Sequence, residues 1–268
     1  MWTTLMLMAA LGPIPGQTGD LELNNVRATY GLLGAPRPDN KILPGDVYYV
    51  AFDIDNVKVD DTGKVLYSMG MEVLDSRNKT QFKQDPRDLE GFNSLGGGHL
   101  PAFANVDIGL DQPPGEYNLR VTVSDRTSKK TKSFQQKFEV LPRQFGLVRV
   151  RLTGDAAGTV DSANFGVAGQ TLWLQCFGVG FERGGAKKEP DVALEMQVLD
   201  EAGNPVAPKP KTGEVKELPK DTTVFPIGPE PLALNRAGKF TIKLKATDRI
   251  GKKSFERSFP LTVVEAKS

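Results

Sequence analysis

The sequence repeats itself once, at long period. Gly70-Met-Glu-Val-Leu-Asp75-Ser-Arg-Asn78 returns as Glu195-Met-Gln-Val-Leu-Asp200-Glu-Ala-Gly-Asn204. Pro114-Gly-Glu-Tyr117-Asn-Leu-Arg-Val-Thr-Val-Ser-Asp125-Arg returns as Ala237-Gly-Lys-Phe240-Thr-Ile-Lys-Leu-Lys-Ala-Thr-Asp248-Arg. Lys129-Lys130 then matches Lys252-Lys253, and Ser133-Phe134 matches Ser254-Phe255. The matches keep their order and nearly their spacing. Each unit, at roughly 120 residues, is long enough to own a core, so the repeat predicts a duplicated domain and not a solenoid.

Within the units the apolar residues alternate. Tyr48, Val50, Phe52 and Ile54 fall on one face of an extended run. Tyr117, Leu119, Val121 and Val123 do the same, as do Phe240, Ile242, Leu244 and Ala246. The counterpart of the first run, Gln170 to Val179, is expected to turn Trp173, Phe177 and Val179 to the core and Cys176, aligned with Ala51, away from it. Turn clusters such as Asp61-Thr-Gly63 and Gln112-Pro-Pro-Gly115 separate the runs, and no sustained helical period appears. The expected fold class is all-β, as two antiparallel sandwiches in tandem. The expected boundaries are 1–19 for a signal peptide, 20–142 for the first domain and 143–268 for the second. Leu141 to Gly146 forms the junction, too short to let the domains drift apart. Residues 84–101 and the segment from Pro205 to Gly213 and onward read as longer irregular loops.

The strand Pro114-Gly115-Glu-Tyr117-Asn-Leu119-Arg-Val121 resembles the Gly-x-Tyr-x-hydrophobic strand of immunoglobulin-like domains. The closing pattern Thr247-Asp248-Arg-Ile-Gly-Lys-Lys-Ser254 is similar to the last hairpin of bacterial immunoglobulin-like repeats in surface and periplasmic proteins. The resemblance implies a tyrosine hydroxyl tied back to the backbone at Tyr117, which Phe240 cannot reproduce. Leu119 stands where such domains often carry cysteine. With a single cysteine, Cys176, the chain forms no internal disulfide. The resemblance implies a fold and leaves the role open.

The apolar stretch from Met1 to Gly16 is too short to span a bilayer and reads as an export signal, which places the protein in the periplasm, cell envelope or extracellular space. Basic and acidic side chains number 34 and 33, a balance that disfavours nucleic acid as partner. One histidine and one cysteine cannot build a closed zinc site, and no cofactor motif is present. Asp53, Asp55, Asp60 and Asp61 offer oxygens to calcium, but their spacing misses the loop pattern, and Asp53 and Asp55 take outward strand positions that solvent explains. Met71 and Met196 read as core. Asp125 and Asp248 read as turn formers.

His99, in Gly96-Gly-Gly-His99-Leu-Pro101, has no matched nucleophile or orienting partner in the spacing, so it reads as a polar loop residue and not as a triad member. Lys129, Lys130, Lys252 and Lys253 sit at equivalent hairpins, where they either steer an acidic partner or keep strands soluble. These four lysines and His99 are the candidate binding residues, chosen for exposure. The expected function is an exported, non-enzymatic binding or structural module that contacts an envelope protein or polysaccharide. Two alternatives stand beside it: a polymer-acting enzyme or accessory domain with its site in a groove, and a periplasmic chaperone or inhibitor working by strand addition.

Overall fold

The computed structural model describes residues 19–266, and every described element is a strand. The export-signal expectation falls almost wholly outside the described residues. In the first half of the chain the strands are β1 (Glu22–Thr29), β2 (Lys41–Ile42), β3 (Val47–Asp55), β4 (Lys64–Asp75), β5 (Thr80–Phe92), β6 (His99–Asp107), β7 (Gly115–Asp125) and β8 (Thr131–Val140). In the second half they are β9 (Gly146–Thr153), β10 (Asp161–Ser162), β11 (Phe165–Val167), β12 (Thr171–Val179), β13 (Val192–Leu199), β14 (Lys211–Val215), β15 (Val224–Ala233), β16 (Gly238–Asp248) and β17 (Lys253–Val264). Among the described residues no helix is long and apolar enough to cross a membrane.

Four sheets result. The first half holds β1-β3-β6 and β2-β8-β7-β4-β5; the second holds β10-β9-β12-β15 and β11-β17-β16-β13-β14. Period-two alternation explains how each pair of sheets shares a core. Tyr48, Val50, Phe52 and Ile54 of β3 meet Leu119, Val121 and Val123 of β7 and Phe138 of β8 in one cluster. Each such side chain, removed from water, contributes about 1.5–3 kcal/mol. Tyr48 and Tyr117 both stack on Phe138, with ring centroids 4.5 and 5.6 Å away.

In the second half Leu172, Leu174 and Cys176 of β12 meet Ile242, Leu244 and Ala246 of β16. This corrects the sequence reading of β12 by one residue. Cys176 points inward and is buried, taking the place of Phe52 and not of Ala51, while Trp173 and Phe177 face the other way. A one-residue slip exchanges the two faces of a strand. Burial pushes the Cys176 thiol up to about 12, so it is an inert core group.

Buried aspartates close both halves in the same way. Asp125 accepts hydrogen bonds from the backbone of Thr127 and Ser128 in its own hairpin and from Lys58 N, 2.8 Å away across the sandwich. Asp248 does the same with Ile250, Gly251 and Glu182. Burial alone would raise the Asp125 carboxyl, but these donors and the Ser128 hydroxyl outweigh it and hold it low. Tyr117 donates its hydroxyl to Pro113 O at 2.8 Å; in the second half the Arg236 guanidinium lies over the Phe240 ring instead.

The segment read as one long loop over 84–101 is mostly strand. β5 runs through it to Phe92 and β6 begins at His99. β5 is an edge strand with nearly every residue exposed, so it shows no alternation, and Pro86 is tolerated there because an edge has N–H groups to spare.

Candidate functional site

Two places stand out, and one strand connects them. The outward face of β1-β3-β6 carries the first. Alternation turns Tyr49, Ala51, Asp53 and Asp55 of β3 away from the core, opposite Asn105, Phe103, Pro101 and His99 of β6. The register therefore sets His99 directly across from Asp55. His99 Nδ1 lies 2.7 Å from Asp55 Oδ1, and Nε2 lies 3.6 Å from Asp53 Oδ1.

β1 completes the cluster. Its pairing with β3 slips between Asn24 and Arg27, with Asn25 in the left-handed region at φ 54°. Such a bulge re-aims a side chain, and here it lets both asparagines reach the carboxylates. Asn24 donates to Asp55 Oδ2 at 2.9 Å and Asn25 to Asp53 Oδ2 at 2.8 Å. The Asp53 side chain is 13% exposed, Asp55 27% and His99 57%, so the carboxylates are set in place and the imidazole is the open edge. The Asn24 hydrogen bond and the His99 contact hold the Asp55 carboxyl below its ordinary range. The hydrogen bond to Asp55 raises the His99 imidazole above its usual value, with smaller help from the charges of Asp53 and Asp55. Phe103 lies exposed two residues beyond Pro101 on the same face.

The same face leads along β3 to Tyr49, which lines a groove between the two halves. Gly31, Arg37, Asp46, Arg149, Arg151 and Phe177 share in that lining, around a cavity of about 160 Å³. The halves are tied firmly on either side of it. Leu43, Val148 and Val179 are buried together, with Leu110, Phe177, Val224 and Phe255 packed against them. Arg149 N donates to Asp46 Oδ1 at 2.7 Å, and Arg149 Nε to Gly45 O at 2.9 Å. Tyr30 and Ala35 of the first half pack into the second core, where Arg257 donates to the Tyr30 hydroxyl.

The structure distributes the candidate residues unevenly. His99 sits at the Asp53–Asp55 cluster, on the sheet edge and not in the glycine loop. Lys130 is paired with Asp20 at 2.8 Å, and Asn56 donates to Asp20 O, so this lysine reaches the same end of the molecule as His99. Lys129 and Lys252 both occupy left-handed turn positions, at φ 61° and 52°, and shape the hairpins. Lys253 lies 3.9 Å from Glu182, two residues from Phe255 and hence beside the joint. The two lysine pairs thus stand at opposite settings, one at the free end and one next to the other half. Asp60 spends one carboxylate oxygen on its own turn, taking Thr62 N, Thr62 Oγ1 and Lys64 N, and does not join Asp53 and Asp55. Sequence reasoning missed Asn24, Asn25, Arg37 and Arg149. The outward placement of Asp53 and Asp55 was a sign toward the asparagines, and no local pattern pointed to the arginines.

No protein-family model matches the chain, and no curated protein matches it. A solved structure to which it is similar is that of a family 123 glycoside hydrolase from Clostridium perfringens, described in connection with glycolipid glycan hydrolysis. The identity is 12%, the match covers 47% of this chain and 28% of that one, and the TM-score is 0.31. The expectation of a chain without enzymatic character is corrected on this finding, since the neighbour is itself an enzyme. A likeness of this degree assigns neither an activity nor a residue.

Proposed function

We propose that the chain is an exported accessory module of a polymer-acting system, built as two immunoglobulin-like sandwiches over 20–142 and 143–268, that holds a polysaccharide. The polymer lies across the outward face of β1-β3-β6 and reaches the groove at Tyr49. The supporting observation is the Asp53–His99–Asp55 cluster, with its carboxylates braced by Asn24 and Asn25 beside exposed Phe103. Hydroxyl-rich ligands need donors and acceptors fixed in advance and a ring face to lie against, and this surface offers both. From His99 to Asn105 the face runs roughly 20 Å, enough for several sugar units.

Strand addition finds less support. Three of the edge strands carry residues that oppose it: Pro86 with flanking charges on β5, Pro101 on β6, and Pro226, Pro229 and Pro231 on β15. Affinity electrophoresis through gels cast with a panel of neutral and acidic polysaccharides tests the proposal. At least one polymer is expected to retard the protein, and Asp53→Ala is expected to abolish that retardation. Free migration in every gel overturns it.

A further inference from the structure

The groove between the halves gathers three arginines, each paired with a carboxylate, and leaves one guanidinium nitrogen without an acceptor. Arg37 is the centre of it, with a side chain only 3% exposed. Its Nε donates to Thr29 O and its Nη2 to Asp46 Oδ2 and Val47 O. Its Nη1 is buried with no partner. The guanidinium also lies over the Tyr30 ring, its Cζ 4.7 Å from the centroid, but a ring face accepts no full hydrogen bond, and a buried guanidinium nitrogen without an acceptor is costly. The nearby acceptor is fully engaged: Asp46 Oδ1 takes Val47 N and Arg149 N, and Oδ2 takes Arg37.

Two further arginines line the same cavity, and local backbone geometry brings them there. The pairing of β12 with β9 slips between Gln175 and Phe177, whose partners are Arg151 and Val148. Arg149 lies within that slip at φ 52°, a conformation a non-glycine residue adopts only when its surroundings enforce it. Arg149 and Arg151 each also meet a carboxylate, Asp107 at 3.3 Å and Asp161 at 3.0 Å. Three guanidiniums thus face three carboxylates, and the donor left unmet is Arg37 Nη1. A flat group that only accepts hydrogen bonds, and brings no more than one negative charge into this balanced setting, suits the site.

We infer that this groove binds a carboxylate, and that the polymer held by the outer face is one that carries carboxylate groups, an acidic polysaccharide; the second clause rests on the function proposed above. Tyr49 belongs both to the outer face and to the groove lining, so one strand of polymer can engage the two places together.

Isothermal titration of the full chain with polygalacturonate, a neutral galactan and free sodium glucuronate, each at matched chloride, tests this. The variants are Arg151→Gln, whose side chain is partly exposed, and Lys239→Gln, an exposed lysine paired with Glu201, as the control, with thermal unfolding confirming that both fold. Polygalacturonate is expected to bind about tenfold or more tightly than galactan, and Arg151→Gln to remove that margin while Lys239→Gln keeps it. Equal binding of both polymers, unchanged in Arg151→Gln, overturns the carboxylate site and leaves the polymer reading standing. Glucuronate binding that depends on Arg151, with neither polymer bound, upholds the site and removes the polymer. Absence of any binding overturns both.

Discussion

Asp53, Asp55 and His99 stand at the same scaffold positions as Phe177, Val179 and Val224. β3 and β12 are each nine residues long, Asp55 faces His99 as Val179 faces Val224, and both strands end in a left-handed residue, Asn56 at φ 58° and Gly180 at φ 66°. In the second copy this corner is apolar because the first half sits on it, through Leu43 and Leu110. In the first half the same corner carries two carboxylates with their asparagine braces and opens to solvent at the imidazole of His99. One half uses this corner as a joint and the other as a polar platform.

The comparison breaks most sharply by exchange. Val179→Asp buries a carboxylate in the apolar cluster of Leu43, Val148 and Phe255, and is expected to cost about 3 kcal/mol or more in urea unfolding. The reverse change, Asp55→Val, is expected to stay within about 1 kcal/mol, since Asp55 is partly exposed and loses only surface hydrogen bonds. Equal effects of the two would mean that the corners are not differently used.

The buried aspartates are expected to show how alike the halves remain beneath that difference. Asp125→Ala and Asp248→Ala each orphan several backbone donors, and each is expected to cost about 2–4 kcal/mol. A large inequality in denaturant melts would show that one hairpin is dispensable. For Asp125, held low in the folded chain, the stabilisation is present above its ordinary value of 3.8 and fades as pH falls through the folded value.

His99 is the chain's one histidine, so its ring protons give an unambiguous NMR titration. Its midpoint is expected above 6.5, and Asp55→Ala is expected to lower it. The His99 contact adds stability that is complete below 6.5 and lost as pH rises through the raised folded value. On the acid side it weakens again as Asp55, held below 3.8, takes up its proton. A midpoint unmoved by Asp55→Ala would detach the imidazole from the platform. The smallest effects are expected at Lys129 and Lys252: glutamine at either should change stability by less than about 0.5 kcal/mol and leave polymer retardation intact.

Alternation and repetition made much of this legible in advance. The core faces of β3, β7 and β16 follow from their spacing, and so does the outward setting of Asp53 and Asp55. β12 misled for a physical reason. Leu172 and Leu174 fill the core while Trp173 and Phe177 lie on the opposite face, Phe177 against the joint, so both faces are apolar and the period-two signal disappears. The partnership of His99 with Asp55 was hidden because it depends on the β3–β6 register across 44 residues, which no local pattern encodes. Arg37 was hidden for the same cause: its chemistry comes from Asp46 and from a bulge in the other half.

The short parallel pairs have a mechanical consequence. In the first half β2 runs parallel to β8, Lys41 and Ile42 beside Glu139 and Val140, with Asn40 and Ile42 carbonyls extending the contact to Glu139 and Leu141. In the second, β11 runs parallel to β17, with bonds from Ala168 to Val264 and from Thr262 to Asn164 on either side. Tension applied along the chain to strands running the same way slides them past each other, so these hydrogen bonds share the load and yield together instead of opening one after another. A chain pulled from its two ends is loaded in that sense, and each half carries its own clamp against it.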